Sequence, residues 1–192
     1  MDLAERWNQR YQSVAAPPQA AAVLRDNRHL LPPSGEALDL ACGLGGNALL
    51  LAEHGLNTSA WDISAVAIDK LNDWAGQRRL PIRGEVRDVS AHPPLPDSFD
   101  AIVVSRFLER ALMPALQAAL RPGGVLFYET FSRQRVDDSG PDNPAFRLAD
   151  NELPRLLPEL YLRYYRDEGL LGDTARGCRG DVLLIAQKPL RR

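Results

Sequence analysis

Hydrophobic and polar positions along the chain follow two periods. Apolar residues three and four apart predict helices over 2–13, 46–54, 64–78 and 108–120. Short apolar runs predict strands at 37–41, 58–62, 82–86, 101–105 and 125–131. A further helix is expected over 18–30, opened by Pro17-Pro18 and closed before Pro32-Pro33. The runs Ala101-Ile102-Val103-Val104 and Val125-Leu126-Phe127-Tyr128 are apolar throughout, as central strands covered on both faces require. Strand and helix therefore repeat as βαβ units, which implies a parallel sheet. The end of the chain breaks this rhythm. After a short helix near 150–157, strands are expected at 160–167 and 181–187, and the glycine-bearing connection 168–180 is too short for a helical crossover. These two should pair antiparallel. The polar stretch 132–147 carries Gly140, Pro141 and Pro144 and reads as a long loop, ordered or mobile.

The stretch with the most chemistry is 37–48, an apolar strand running into Cys42-Gly43-Leu44-Gly45-Gly46 and then a helix, with Asp39 inside the strand. Gly43 and Gly45 permit positive φ and leave no Cβ between backbone and ligand, and the helix start offers N–H groups. An adenosine-bearing cofactor belongs there. Two cofactors compete, because Gly43, Gly45 and Ala48 also satisfy the dinucleotide fingerprint, with Asp62 at the distance of a ribose-binding carboxylate.

Length and composition bound the rest. The 192 residues, 45% hydrophobic, suit a single domain spanning 1–192, with 1–33 as an N-terminal helical cover and 34–192 as the core. A net charge of −2 gives no global basic surface, although Arg10, Arg25, Arg28, Arg78, Arg79 and the Arg191-Arg192 tail allow local patches. No nucleic-acid partner is expected. Cys42 and Cys178 sit far apart in unlike contexts and read as free thiols of a reducing compartment. The charged N-terminus and the lack of a long apolar run lead to the expectation of a cytoplasmic protein without membrane contact, monomeric or dimeric.

Five blocks then occur in order: Leu38-Asp39-Leu40-Ala41-Cys42-Gly43-Leu44-Gly45; Ala60-Trp61-Asp62-Ile63-Ser64; Arg87-Asp88-Val89; Leu95-Pro96-Asp97-Ser98-Phe99-Asp100-Ala101-Ile102-Val103; and Leu120-Arg121-Pro122-Gly123-Gly124. Together they resemble the class I S-adenosylmethionine-dependent methyltransferases over almost the whole chain. Trp7-Asn8-Gln9-Arg10-Tyr11, and the tail from Glu129-Thr130-Phe131 through Gly140-Pro141 to Gln187-Lys188-Pro189, are similar to the short bacterial tellurite-resistance-type members. The resemblance implies an α/β, Rossmann-like seven-stranded, mostly parallel sheet with helices on both faces and an antiparallel C-terminal strand pair. It implies S-adenosyl-L-methionine as cofactor.

The family's roles carry over residue by residue. Asp39 would face the methionine ammonium, where a pyrophosphate would be repelled. Gly43 and Gly45 would make room, with backbone amides around Cys42 and Leu44 lining the ligand. Asp62 would accept the ribose hydroxyls, Ile63 would pack on adenine, and Asp88 and Val89 would meet the adenine edge. Arg106 completes the cofactor set. Plainer roles stay open: Asp39 accepting backbone N–H groups at a strand end, Asp62 capping the helix 64–78, Asp88 as a solvated loop carboxylate, and the glycines as a helix entry without ligand.

Trp7, Arg10, Tyr11, Phe107 and Phe131 are acceptor candidates, although Trp7 and Tyr11 equally suit a staple for the first helix. The fourth strand ends in Val104-Ser105-Arg106-Phe107-Leu108, unlike the Asn-Pro-Pro-Tyr loops that serve exocyclic or amide nitrogen, and that loop holds no cysteine nucleophile. His29, His54 and His92 are scattered, so no metal site and no histidine base is expected. The reading is methyl transfer to a small-molecule acceptor through sulfur, tellurium or selenium, nitrogen or oxygen, with no catalytic residue assigned. The alternatives are an NAD(P)-dependent oxidoreductase and a non-enzymatic cofactor-binding sensor or partner protein.

Overall fold

The computed structural model describes residues 2–190; Arg191 and Arg192 lie outside them. Seven strands form one sheet: β1 (Glu36–Leu40), β2 (Asn57–Asp62), β3 (Ile82–Val86), β4 (Phe99–Ser105), β5 (Leu120–Phe131), β6 (Tyr161–Arg166) and β7 (Asp181–Gln187). Their order is β3-β2-β1-β4-β5-β7-β6. Neighbours from β3 to β5 are parallel, and β7 runs antiparallel to both β5 and β6. After β3 the chain crosses back and adds β4 on the other side of β1, so β1 flanks the crevice where open α/β sheets take ligands at their carboxyl ends.

Alternation within the strands divides the core into two faces. Leu38, Leu40, Ile102, Val104, Leu126 and Tyr128 point to one face, covered by α5 (Met113–Ala119) and α6 (Glu152–Leu156). Ala37, Ala101, Val103 and Phe127 point to the other, under α2 (Ala22–Arg25) and α3 (Gly46–Glu53). Next to them α4 (Ala65–Arg78) packs Ile68 and Leu71 against Ala60 of β2.

Three expectations are corrected. No helix spans 18–30. Residues 22–25 form the single turn of α2 and Arg28–Leu30 a separate 3₁₀ turn. The approach to them is drawn out by side chains from elsewhere: Asn47 accepts the N–H of Ala21 at 2.8 Å and Glu129 that of Val23 at 2.8 Å, satisfying donors at the helix start and fixing where it can begin. Strand β5 begins at Leu120, before the apolar run at 125. Its pairing with β4 jumps from Phe99–Leu120 to Ala101–Val125. The Pro-Gly-Gly turn is absorbed as an irregularity, closed by Gly123 N–H donating to Lys188 O at 3.0 Å. The expected helix 108–120 is likewise a 3₁₀ turn, Arg110–Leu112, followed by α5.

The first helix, α1 (Leu3–Gln12), starts with a capping box: Asp2 accepts the Glu5 N–H at 2.7 Å and Glu5 accepts the Asp2 N–H at 3.2 Å. No α1 residue is fully buried, and polar contacts attach the helix to α4. Asn8 Oδ1 accepts the Ser64 hydroxyl at 2.7 Å and the Val66 N–H at 3.3 Å. Lys70 Nζ donates to the carbonyls of Tyr11, Gln12 and Val14 at 2.9, 2.8 and 2.6 Å, capping the helix end with a cation. Lys70→Ala should therefore release α1 while leaving the sheet intact. Amide exchange over 3–14 should accelerate by roughly tenfold, the ~1.5 kcal/mol of charge-assisted bonds lost, with β4 and β5 unchanged.

The 132–147 loop is ordered around a buried guanidinium. Arg147 donates to Pro141 O at 2.7 Å, to Ser132 O at 2.8 Å and to Ser139 O. No helix among the described residues is long and apolar enough to cross a membrane.

Candidate functional site

At the carboxyl end of β1 the chain turns through three left-handed residues, Ala41 (φ 55°), Gly43 (φ 52°) and Gly45 (φ 74°). For Ala41 that conformation costs about 1–2 kcal/mol. Cys42 N–H donating to Trp61 O at 3.0 Å ties the turn to β2, and Gly45 N–H donating to Cys42 O at 2.9 Å closes it.

Two carboxylates hold this turn. Asp62, 7% exposed at the end of β2, accepts the Gly43 N–H at 2.7 Å and the Ser64 N–H at 2.9 Å. Asp39, fully buried, accepts the Ala48 N–H at 2.9 Å and the Asn47 amide at 3.3 Å. The helix start thus does not offer all its donors to a ligand, as expected from sequence, because Asp39 takes the third N–H of α3. The distribution of charge decides what can bind there. A carboxyl group already occupies the place where a dinucleotide's pyrophosphate would seek N–H groups. Burial raises both carboxyls, Asp39 to about 7, while the hydrogen bonds to each oppose the rise.

The glycines have different neighbours. A Cβ on Gly43 would stand 2.8 Å from the Tyr11 hydroxyl, whereas one on Gly45 would stand 2.4 Å from a Leu71 methyl. Gly43 therefore leaves space on the open side of the turn and Gly45 lets α4 pack. Cys42 and Leu44 are buried beside them. Trp7 and Tyr11 stack, with centroids 5.5 Å apart, and Arg10 lies 5.3 Å over the Trp7 ring. Burial and the nearby Asp62 charge raise the Tyr11 phenol well above its usual range, so it remains a neutral donor beside the glycine turn.

Ile63 is half-buried after β2. Asp88 is exposed and accepts the Ser90 and Ala91 N–H groups at 3.0 and 3.3 Å, which makes it the cap of its own turn; Val89 beside it is buried. Arg106 leaves β4 with φ 54°, and its guanidinium turns toward β5 and β7, 5.1 Å over Phe131 and 4.0 Å from Asp181. Phe131 is only 8% exposed, held between Arg106 and Arg147, and Phe107 packs half-buried on the core. The structure thus gathers Asp39, Cys42, Gly43, Leu44, Gly45, Asp62 and Tyr11 around one turn, with Trp7 stacked on Tyr11. Arg106 and Phe131 form a separate cluster.

Two polar residues escaped the sequence reading. Asn47 donates to Asp39 and, at 2.9 Å, to the Ser105 hydroxyl. Glu129 is 4% exposed inside β5. Each is a polar residue in an otherwise apolar run, Asn47 in Gly-Asn-Ala-Leu-Leu-Leu and Glu129 in Val-Leu-Phe-Tyr-Glu, and that break in pattern was the available signal. Burial keeps both Cys42 and Cys178 as thiols, the latter raised to about 11. Among the described residues no group of three or more His, Cys, Asp or Glu is arranged to hold a metal ion.

Comparison with known proteins agrees with this geometry. Residues 37–124 match the family model described as a methyltransferase domain. The chain is 38% identical over 96 residues to Hemagglutinin 1 of Eikenella corrodens, covering 46% of this chain and 32% of that protein. It is 32% identical over 101 residues to a ubiquinone biosynthesis O-methyltransferase of Coxiella burnetii, covering 50% and 43%. The chain thus spans less than half the length of these curated relatives. Its fold is similar to that of TehB from Haemophilus influenzae, with a TM-score of 0.68 and 23% identity over 96% of this chain and 66% of that one. Residues 37–124, a little under half of the chain, thus match the methyltransferase-domain family, and the fold is shared with S-adenosylmethionine-dependent methyltransferases of known structure, among them one from Methanosarcina mazei with a TM-score of 0.69 and 22% identity over 91% of this chain and all of that one.

Proposed function

We propose that this chain, as one domain with residues 1–33 as its cover, transfers a methyl group from S-adenosyl-L-methionine to a small-molecule acceptor. The observation that carries the reading is the Asp39 carboxylate bound to the Ala48 N–H. It fills the anion position of the helix start and, once ionised, presents negative charge, which suits an ammonium group and opposes the pyrophosphate of the oxidoreductase alternative. The residues fit the cofactor in kind. Asp39 would hold the amino group, the backbone at Cys42, Gly43 and Leu44 would line the open side of the turn, and Asp62 would accept the ribose hydroxyls. Ile63, Asp88 and Val89 would border the adenine. Arg106 would act from the end of β4, and Trp7, Arg10, Tyr11, Phe107 and Phe131 would face the acceptor.

The bound cofactor supplies an electrophilic methyl on a positively charged sulfur. The protein's own task is then alignment and exclusion of water. Tyr11, over the turn, is placed to shield the reacting side. The name of the Coxiella relative supports an oxygen acceptor, and the sequence resemblance to the tellurite-resistance-type members a tellurium one. Location in the cytoplasm fits either.

Asp62→Ala tests the ribose role. With the hydroxyl pair's acceptor gone and the Gly43 N–H released, S-adenosylhomocysteine should bind more weakly by ~1–3 kcal/mol, measured by calorimetry on a variant whose circular dichroism matches the parent. Unchanged affinity would remove Asp62 from the site.

A further inference from the structure

Among the described residues, Glu129 is the buried carboxylate that the cofactor reading leaves unused. Strand register puts Ser105 of β4 directly beside Glu129 of β5, on the face that also carries Asp39. Asn47 joins Asp39 to Ser105 through its amide. Asp39, Asn47, Ser105 and Glu129 thus form a polar row along the carboxyl edge from β1 to β5, above Ala101, Val103 and Phe127, which are apolar and fully buried. Adjacent strands lie about 4.8 Å apart, so Glu129 stands one strand beyond Ser105 and two beyond Asp39.

A carboxylate in this setting is costly unless it has work to do. A single backbone donor, the Val23 N–H, is bonded to Glu129, through Oε2. Leu183, the register partner of Glu129 in β7, and Ala22, next to Val23, line a cavity of about 430 Å³ that reaches Tyr164 and Cys178; Glu129 itself does not line it.

We propose that Glu129 takes the proton from a neutral hydroxyl acceptor, making the enzyme an O-methyltransferase; this rests on the methyltransferase reading above. In the step, the acceptor oxygen forms a bond to the methyl carbon as the carbon–sulfur bond breaks, leaving neutral S-adenosylhomocysteine. The hydroxyl proton passes to Glu129 and then to solvent. The choice of acceptor follows from charge. A thiolate or oxyanion needs no base and would be repelled by Glu129, whereas a neutral hydroxyl both donates to it and gains nucleophilicity. Burial, and the Asp181 charge from β7, raise the carboxyl's proton affinity. Arg106 beyond β4 and Arg25 of α2 oppose the rise, and the Cys178 thiol also faces the group.

Glu129→Gln keeps the size and the acceptor for Val23 N–H and removes the base. Parent and variant would be compared with catechol and thiophenol from pH 6 to 10, with S-adenosylhomocysteine affinity measured alongside. Expected are a loss in kcat on catechol of roughly 10²–10⁴-fold near pH 7, recovering as pH approaches the phenol's own ionisation, with thiophenol turnover undiminished or raised and cofactor affinity within about twofold. Glu129→Asp should restore part of the catechol rate. Equal losses on both acceptors, or an unaltered catechol pH profile, would make Glu129 a staple for α2 and overturn the proposal. So would a parent enzyme that binds S-adenosylhomocysteine yet does not methylate catechol. A parent that does not bind S-adenosylhomocysteine would instead overturn the methyltransferase reading itself.

Discussion

Gly43→Val should abolish S-adenosylhomocysteine binding while the sheet stays folded. At φ 52° a β-branched residue is strained, and its Cβ would lie 2.8 Å from the Tyr11 hydroxyl. Relief requires either the turn or α1 to move, and both border the proposed cofactor site. A loss of at least ~3 kcal/mol, roughly a hundredfold in affinity, is expected in titration calorimetry. Gly43→Ala should fall between, because alanine tolerates the left-handed region at a cost of about 1–2 kcal/mol but still meets Tyr11. The turn precedes α3 and its substitution leaves the strand cores untouched, so far-ultraviolet circular dichroism should be retained. Normal affinity in the valine variant would place the ligand elsewhere.

The second large effect concerns Asp39 and pH. Its carboxyl, pushed up to about 7 by burial, must ionise to hold an ammonium group. Binding therefore releases a proton near neutrality, and affinity should rise with pH, falling about tenfold per unit below about 7 and levelling above it. Stability of the free protein runs the opposite way. The neutral carboxyl is favoured in the fold, so its contribution is complete below the ordinary carboxylate range near ~4 and is lost as pH rises through about 7. Asp39→Asn keeps an oxygen for the Ala48 N–H but no charge. It should remove the pH dependence and weaken binding at pH 8 by roughly ten- to a hundredfold, the ~1.5–3 kcal/mol of a charged hydrogen bond. Titrations in buffers of different ionisation enthalpy would read the released proton directly. A pH-independent affinity in the parent protein would separate Asp39 from the ammonium.

The sheet was legible because its strands are written locally. Ala101-Ile102-Val103-Val104 is apolar on both faces and lies in the middle of the sheet, and the short 168–180 connection left only antiparallel pairing for the last two strands. The glycine turn was legible for the same reason, since Gly43 and Gly45 announce positive φ in a single stretch. What escaped depends on residues distant in the chain. The start of α2 is fixed by Asn47 and Glu129, respectively 26 and 106 residues away from the N–H groups they accept. Nothing within 18–30 encodes those partners, and an alanine-rich segment read alone continues as helix. The 132–147 loop, by contrast, is ordered from within, by its own Arg147 gathering the carbonyls of Pro141 and Ser132, which a composition-based reading leaves to solvent. In the site, sequence offered Asp39 as a ligand for the cofactor or as an acceptor of backbone N–H groups. Its bond to Ala48 establishes the second and leaves the first compatible with it.

The most direct test is calorimetric titration of the unmodified protein at pH 8 with S-adenosylhomocysteine and, separately, with NADH. The account predicts a single saturable site for S-adenosylhomocysteine, weakened in Asp62→Ala, and no binding heat from NADH. Binding of NADH without S-adenosylhomocysteine, or S-adenosylhomocysteine binding indifferent to Gly43, Asp39 and Asp62 alike, would contradict it.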